Sequence, residues 1–146
     1  MTLAQVKLQL SDVQAVAMTI WAEARAESVQ GQIAVGCVIR NRLLRPRRFA
    51  DTFKGVCHQK AQFSCWAPAD GEKNYERLVS FCTAALEKTR EWPAQQMWIA
   101  EGIIDGRCGD NTNRADHYHA DYVSPTWAKG QISLVKYGVH IFYQLP

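Results

Sequence analysis

Residues 11–27 have the sequence SDVQAVAMTIWAEARAE, which predicts a long apolar helix ending in acidic side chains. Ser11 is a typical N-cap residue, and Gln14 three positions later completes a capping box. One stripe of apolar side chains follows at helical spacing, namely Val13, Val16, Ala17, Ile20, Trp21 and Ala24. We therefore predict a helix over residues 12–25.

Glu23 lies about 90° from the centre of that stripe, at roughly 100° per residue. We expect its side chain to face the core on one side and a neighbouring surface on the other. Partial burial disfavours the charged form of a carboxyl group and raises its pKa, which suits a general acid near neutral pH. The alternative is an ordinary solvated glutamate, or one paired with Arg25 or Arg40.

The composition is typical of a soluble globular protein. The chain has 146 residues, of which 47% are hydrophobic and 21% charged, so we expect a single catalytic domain of residues 1–146. Residues 1–10 lack the apolar run of a signal peptide, and no stretch approaches the ~20 apolar residues of a membrane span. The sequence thus predicts a protein made in the cytoplasm, without stable membrane insertion.

The net charge and the cysteine content indicate the function less specifically than the segment that contains Glu23 does. The net charge is +3, and five arginines lie within nine residues: Arg40, Arg42, Arg45, Arg47 and Arg48. This patch would favour a polyanionic partner, although basic side chains also suit the C-terminal end of a helix. The five cysteines contain no C-x2-C pair, so no metal site is expected. Cys57 and Cys65 could form a disulfide, but a cytoplasmic origin favours free thiols, and we expect Cys37 and Cys82 to be buried.

Apolar periodicity and proline positions predict three further helices, at about 31–45, 72–89 and 93–104. Glycine and polar residues predict two loops, at 49–70, where a short helical turn is included, and at 105–116. β-Branched and aromatic residues predict three strands, at 117–123, 132–137 and 139–143. The fold class is therefore α+β, mainly helical with a small antiparallel sheet near the C-terminus.

Polar and aromatic side chains outside the helices suit a groove that binds sugars. Amides and hydroxyls pair with sugar hydroxyl and N-acetyl groups, and flat rings stack on pyranose faces. The candidate substrate-binding residues are Gln62, Phe63, Ser64, Trp66, His117 and Tyr118. The same aromatic residues could instead belong to the core, and a lone histidine such as His140 is often structural.

Taken in order, these segments resemble the SleB-like family of cell-wall hydrolases. The resemblance spans about residues 13–143 and rests on the segments 20–27 (IWAEARAE), 31–35 (GQIAV), 38–42 (VIRNR), 62–66 (QFSCW), 116–118 (DHY) and 138–143 (GVHIFY). It implies a lysozyme-like fold that cleaves the glycan strand of peptidoglycan, with Glu23 as the catalytic acid. The chain departs from the family pattern at Ala22 and Ala26, which replace glycines, and at Cys65, which is inserted before Trp66.

The number of carboxylates distinguishes two mechanisms. Hydrolytic glycosidases normally use two carboxyl groups. In a lytic transglycosylase the 6-hydroxyl of muramic acid attacks the anomeric carbon, so one glutamate can serve as both acid and base. Because only Glu23 lies in a suitable motif, we predict a lytic transglycosylase. The alternative is a hydrolytic muramidase with Glu27 as the second carboxylate, or less favourably Asp116 or Asp121.

Two other functions stay open. A zinc-dependent peptidoglycan amidase could use His117 and His119 with His140 or Asp121 as the third ligand. A non-enzymatic module would bind a wall polymer or nucleic acid through residues 40–48. We favour a monomeric enzyme that acts on peptidoglycan glycan strands, with no cofactor and no nucleic-acid partner. It would reach the cell wall after release from the host cytoplasm, as a phage endolysin does.

Overall fold

Helices come first and strands last in the computed structural model, which describes residues 1–60, 62–68 and 73–146. The described helices are α1 (Leu3–Gln9), α2 (Asp12–Ala24), α3 (Val29–Leu43), α4 (Phe53–His58), α5 (Lys73–Leu86) and α6 (Ala94–Asp105). The described strands are β1 (His117–Ala120), β2 (Val135–Tyr137) and β3 (His140–Tyr143). Two 3₁₀ turns cover Ser64–Trp66 and Thr126–Ala128. The predicted α+β class is confirmed, with the sheet at the C-terminal end.

The N-terminal end of α2 is held by the predicted capping box. The Ser11 hydroxyl accepts a hydrogen bond from the Gln14 amide at 3.1 Å, and the Gln14 side chain accepts one from the Ser11 amide at 2.9 Å. A second capping box, between Thr2 and Gln5, starts α1, which we did not predict. With only seven residues, α1 is too short for its periodicity to be distinctive.

Helix α2 is the centre of the core rather than a surface helix with one apolar stripe. Its buried residues surround the helix axis: Ala15, Val16, Ala17, Met18, Thr19, Ile20, Ala22 and Ala24. Helices α3, α4, α5 and α6 all pack against it. A Cβ at Gly36 of α3 would lie 2.6 Å from Ile103 and 3.3 Å from Ile20, so a glycine is needed where α3 meets α6. This packing places the C-terminal end of α2, with Glu23, at the edge of the core.

The sheet is antiparallel, with the strand order β1-β3-β2. Tyr118 pairs with Phe142, and Ala120 with His140. The strands are shorter than predicted: β1 ends at Ala120, because the chain turns at Asp121, whose amide donates to the Val139 carbonyl at 2.7 Å. The predicted strand at 132–137 forms only as β2, and Ile132 is 87% exposed. Short partner strands limit how much of each apolar run can pair.

The other element boundaries are close to those predicted. Helix α3 begins at Val29 because the hydroxyl of Ser28 accepts the Gly31 amide at 3.2 Å. Pro93 precedes α6, as expected for a residue that lacks an amide proton. The predicted start of the third helix at Glu72, and residues 61 and 69–70 of the predicted loop, lie outside the described residues. Within the described ranges, no helix has the length and apolar character needed to span a bilayer.

Candidate active site

A cavity of about 590 Å³ lies between the end of α2, the segment around the first 3₁₀ turn, and the sheet. The structure brings five of the sequence-predicted site residues to its lining: Glu23, Gln62, Phe63, Ser64 and Tyr118. They come from three distant parts of the chain, and the packing of α2 against the turn and the sheet joins them. This cavity is the candidate active site.

A second cavity, of about 320 Å³, meets the first at Glu23. Glu27 lines this second cavity and not the first. Tyr122 and His140 border both cavities. Glu23 therefore lies on the boundary that the two cavities share.

The carboxylate of Glu23 accepts hydrogen bonds from the hydroxyl of Tyr118 and the thiol of Cys65. Burial raises the pKa of Tyr118 well above its usual value, and the charge of Glu23 raises it further. Burial likewise raises the pKa of Cys65, and Glu23 again adds to the effect. Both groups thus keep their protons and act as fixed donors to Glu23. Cys65 is one of the three positions at which the sequence departs from the pattern it resembles.

Trp66 and His117, two of the predicted binding residues, do not line either cavity that contains Glu23. Trp66 is 2% exposed, and its indole donates to the hydroxyl of Thr19 at 2.8 Å. Its ring is therefore part of the core and cannot serve as the stacking wall we expected. His117 points to the other face of β1, where its Nδ1 lies 2.8 Å from the Asp116 carboxylate. Strand alternation explains this, because neighbouring residues point to opposite faces.

Phe63 lines the cavity, but little of its ring is available for stacking. Its side chain is 4% exposed, and the Arg42 guanidinium lies 4.9 Å from the ring centroid. Arg42 itself lines the cavity and was not predicted as a site residue. Its Nε donates to the Asp116 carbonyl at 2.8 Å, and burial lowers its pKa. Its position at the end of the VIRNR motif was visible in the sequence, but nothing in the pattern indicated that the side chain is buried.

Asn74 is a second lining residue that sequence reasoning missed. Its side chain donates to the Ala22 carbonyl at 3.1 Å, and it accepts a hydrogen bond from Arg25 at 3.4 Å. Asn74 thereby ties α5 to the C-terminal end of α2, next to Glu23. No local signal distinguishes it from an ordinary polar residue in the first turn of a helix.

A family model described as Cell Wall Hydrolase matches residues 26–143. The chain belongs to the cell wall hydrolase family. The match covers most of the chain and confirms the resemblance noted in the sequence. It begins three residues after Glu23, so the position of Glu23 in the site rests on the geometry described above.

Curated proteins with similar sequences are named spore cortex-lytic enzymes. The one from Bacillus subtilis (strain 168) is 27% identical over 132 residues, which are 90% of this chain and 37% of that protein. The one from Halalkalibacterium halodurans is 42% identical over 134 residues, 90% of this chain and 34% of that protein. The chain thus spans well under half the length of these relatives.

Two solved structures share the fold. One is the catalytic domain of the germination-specific lytic transglycosylase SleB from Bacillus anthracis, with a TM-score of 0.65 and 26% identity, covering 93% of this chain and 98% of that one. The other is the catalytic domain of the Bacillus cereus SleB protein, with a TM-score of 0.65 and 25% identity, covering 91% of this chain and 89% of that one. The expected fold of the cell wall hydrolase family is therefore confirmed.

The sheet geometry counts against the zinc alternative for this member of the family. His117 and His119 lie two residues apart on β1 and share one face, where both rings contact Trp127 at 5.1 and 5.5 Å. His140 lies opposite Ala120, on the other face, so it cannot complete a site with them. In the described part of the chain, no cluster of three His, Cys, Asp or Glu side chains could hold a metal ion.

The arginine cluster also differs from the polyanion-binding patch considered above. Arg40 donates to the carbonyls of Ile103 and Cys108, at 3.1 and 2.7 Å. Arg45 donates to the Leu145 carbonyl at 2.9 Å and forms an ion pair with Asp116. Arg42 is buried and Arg48 donates to the Pro146 carbonyl at 2.6 Å. Four of the five arginines thus bind other parts of the same chain, so the cluster stabilises the fold of this cell wall hydrolase.

Proposed function

We propose that this chain cleaves the glycan strand of peptidoglycan as a lytic transglycosylase, with Glu23 as the only acid and base. The observation that carries the proposal is the composition of the larger cavity. Among its described lining residues, Glu23 is the single carboxylate, and the rest of the polar lining consists of amide, hydroxyl and imidazole groups and the guanidinium of Arg42. The membership of the family and the likeness to a lytic transglycosylase domain support the same activity.

The reaction needs one group that first gives and then takes a proton. Glu23 in its neutral form protonates the oxygen of the bond between N-acetylmuramic acid and N-acetylglucosamine as that bond breaks. The resulting carboxylate then accepts the proton of the muramic acid 6-hydroxyl, whose oxygen bonds to the anomeric carbon. The product is a 1,6-anhydro end, no water is consumed, and Glu23 returns to its neutral form.

The position of Glu27 argues against hydrolysis with a second carboxylate. Its Oε1 accepts a hydrogen bond from the Val139 amide at 3.5 Å, and its carboxylate packs closely against Gly138. These contacts hold Glu27 at the turn between β2 and β3, in the second cavity. A muramidase would need a second carboxylate beside the reacting sugar, on the same cavity as the polar binding groups.

Gln62, Ser64 and Tyr118 are the binding groups that we assign to the sugar in the larger cavity. Gln62 and Ser64 offer an amide and a hydroxyl to the N-acetyl and hydroxyl groups of the substrate. Tyr118 has a double role, because its hydroxyl also bonds to Glu23. Phe63, with Arg42 across its ring, supplies the apolar floor rather than an open stacking surface.

Substitution of Glu23 by Gln tests the proposal. The amide keeps the shape of the side chain but cannot deliver the proton, so release of soluble fragments from purified peptidoglycan should fall at least about a hundredfold. Glu101, an exposed glutamate on α6, gives the matched control: Glu101→Gln should leave the rate unchanged. Normal turnover by Glu23→Gln would refute the role of this residue.

Mass spectrometry of the fragments tests the type of reaction. The wild-type enzyme should release 1,6-anhydro-muramic acid ends, which lack one water relative to reducing ends. Glu27→Gln should give the same product, since Glu27 has no part in the proposed reaction. Reducing ends without anhydro product, and loss of their formation in Glu27→Gln, would establish the muramidase alternative instead.

The biological setting stays a prediction. The sequence analysis favours a phage endolysin that leaves the host cytoplasm to reach the wall, whereas the similar curated proteins are named spore cortex-lytic enzymes. The two settings offer different forms of peptidoglycan. Comparing rates on vegetative sacculi and on isolated spore cortex distinguishes them: the endolysin interpretation requires the faster rate on vegetative sacculi.

A further inference from the structure

His140 borders both cavities that contain Glu23 and also has a buried ring nitrogen without a partner. Its side chain is 7% exposed, and its ring borders both the larger cavity and the one beside Glu27. Its Nδ1 is buried and has no hydrogen-bond partner among the described residues. A buried polar atom without a partner costs free energy, so natural proteins usually satisfy it or use it.

The ring of His140 is held in place by its neighbours in the sheet. His140 starts β3, opposite Ala120 on β1 and Tyr137 on β2. It meets the ring of Tyr118 edge-on, with centroids 4.9 Å apart, and Tyr118 is the residue whose hydroxyl bonds to Glu23. The imidazole is thus in a fixed orientation, one side chain away from the proposed acid.

Burial lowers the pKa of His140, and the carboxylates of Glu27 and Asp121 oppose that effect without cancelling it. Glu23 and Tyr122 line both cavities with His140, Arg42 and His119 line the larger one, and Arg25 lines the smaller one, while the ring of Tyr118 lies against His140. The ring is therefore neutral near neutral pH, with one nitrogen as a donor and the other as an acceptor. That pair of functions suits the hydroxyl and N-acetyl groups of an amino sugar rather than a charged ligand.

We propose that His140 contacts the substrate, by binding the sugar unit that occupies the cavity between Glu23 and Glu27. The proposal rests on the proposed function, since it assumes a glycan strand that passes Glu23. It assigns a sugar-binding role on the second-cavity side of the cleaved bond, where Glu27 is already engaged with the β2–β3 turn. A purely structural histidine at this position would pack in the same way but would not affect substrate affinity.

Binding to an uncleaved substrate separates the two roles. The Glu23→Gln variant is titrated calorimetrically with a purified tetrasaccharide of alternating N-acetylglucosamine and N-acetylmuramic acid. Adding His140→Phe to this variant keeps an aromatic ring but removes both nitrogens. It should weaken binding of the tetrasaccharide by about three- to tenfold, which is the contribution of one hydrogen bond. Adding His140→Gln, which keeps a donor and an acceptor, should restore at least part of the affinity.

His58 gives a matched control. It is a half-buried histidine with an unpartnered Nε2, and it meets the ring of Trp66 edge-on, with centroids 4.6 Å apart. It lines neither cavity that contains Glu23. His58→Phe should leave the affinity unchanged. If His140→Phe does not fold, as judged by its melting curve, His140→Leu replaces it.

Unchanged affinity in a folded His140→Phe or His140→Leu variant would overturn the proposal. Equal weakening in His58→Phe would do the same, because it would indicate a general effect on stability. Neither result depends on catalysis. Failure of the proposed function would show separately, as turnover of the tetrasaccharide by the Glu23→Gln parent.

Discussion

Glu23 lies between two hydrogen-bond donors whose own protons are held by burial, the hydroxyl of Tyr118 and the thiol of Cys65. A hydrogen bond donated to a carboxylate favours its charged form and also fixes its direction. At the residue scale, the site therefore orients its acid with neutral donors.

Tyr118→Phe tests this arrangement. Without the hydroxyl, the charged form of Glu23 loses a donor, so the neutral form persists to higher pH and the alkaline limb of kcat/KM should move upward. The rate at the optimum should fall roughly tenfold, because the carboxyl group is less well oriented. A pH–rate profile on soluble glycan fragments measures both effects, with Tyr75→Phe on α5 as the control. An alkaline limb that stays in place in Tyr118→Phe would contradict the proposed hydrogen bond.

Sequence reasoning found Glu23, Gln62, Ser64 and Tyr118 because each stands in a recognisable motif, and the structure brings them to one cavity. It could not separate Tyr118 from its neighbour His117, since which face of a strand points to the groove depends on the partner strand. Burial of Arg42 and the position of Asn74 depend on contacts with distant segments. A single sequence contains no local signal for such contacts.

At the element scale, the turn between β2 and β3 positions Glu27. Gly138 in this turn has φ +54°, a backbone conformation that favours glycine, and a Cβ there would overlap the Glu27 carboxylate. Gly138→Ala should therefore lower the free energy of unfolding by on the order of 2 kcal/mol. Gly130, with φ +78° and open space around it, gives the matched control. Gly130→Ala should lower the free energy of unfolding by about 1 kcal/mol.

Urea unfolding of the two variants provides the measurement for these costs. Equal destabilisation by Gly138→Ala and Gly130→Ala would mean that backbone strain alone matters, and that the contact of the turn with Glu27 contributes nothing. A larger cost at Gly138 would show that the turn and the segment after α2 stabilise each other.

Helices were more predictable than strands because their signals are local. The Ser11 capping box and the proline before α6 each set a boundary within a few residues. The strands depend on pairing, and the exposed Ile132 shows that a β-branched run without a partner stays irregular. The same dependence on tertiary context made α2 a fully surrounded helix instead of a half-exposed one.

At the scale of the whole molecule, Asp116 joins the helices to the sheet and the C-terminus. It is fully buried, and it accepts hydrogen bonds from Arg45 after α3, from His117 on β1, and from the Leu145 amide at 3.0 Å. Burial alone would raise the pKa of Asp116, but these bonds outweigh it and the net shift is downward. This one carboxylate thus helps to fix the sheet and the C-terminal segment relative to α3.

Acid should destabilise the whole fold before Asp116 becomes protonated, because of His58. Burial, aided by the charges of Lys7 and Lys54, lowers the pKa of His58 from 6.5 to about 4. Between these values the unfolded chain binds a proton that the folded chain does not, so stability is complete above pH 6.5 and falls as the pH drops towards 4. The loss should be on the order of 2 kcal/mol, given that the side chain is partly exposed. Urea unfolding at pH 7 and pH 4.5 measures this loss.

His58→Phe is the control, because it keeps a ring packed against Trp66 but cannot take up a proton. This variant should lose less stability than the wild type between pH 7 and pH 4.5. An equal loss in the variant and the wild type would assign the acid sensitivity to other groups.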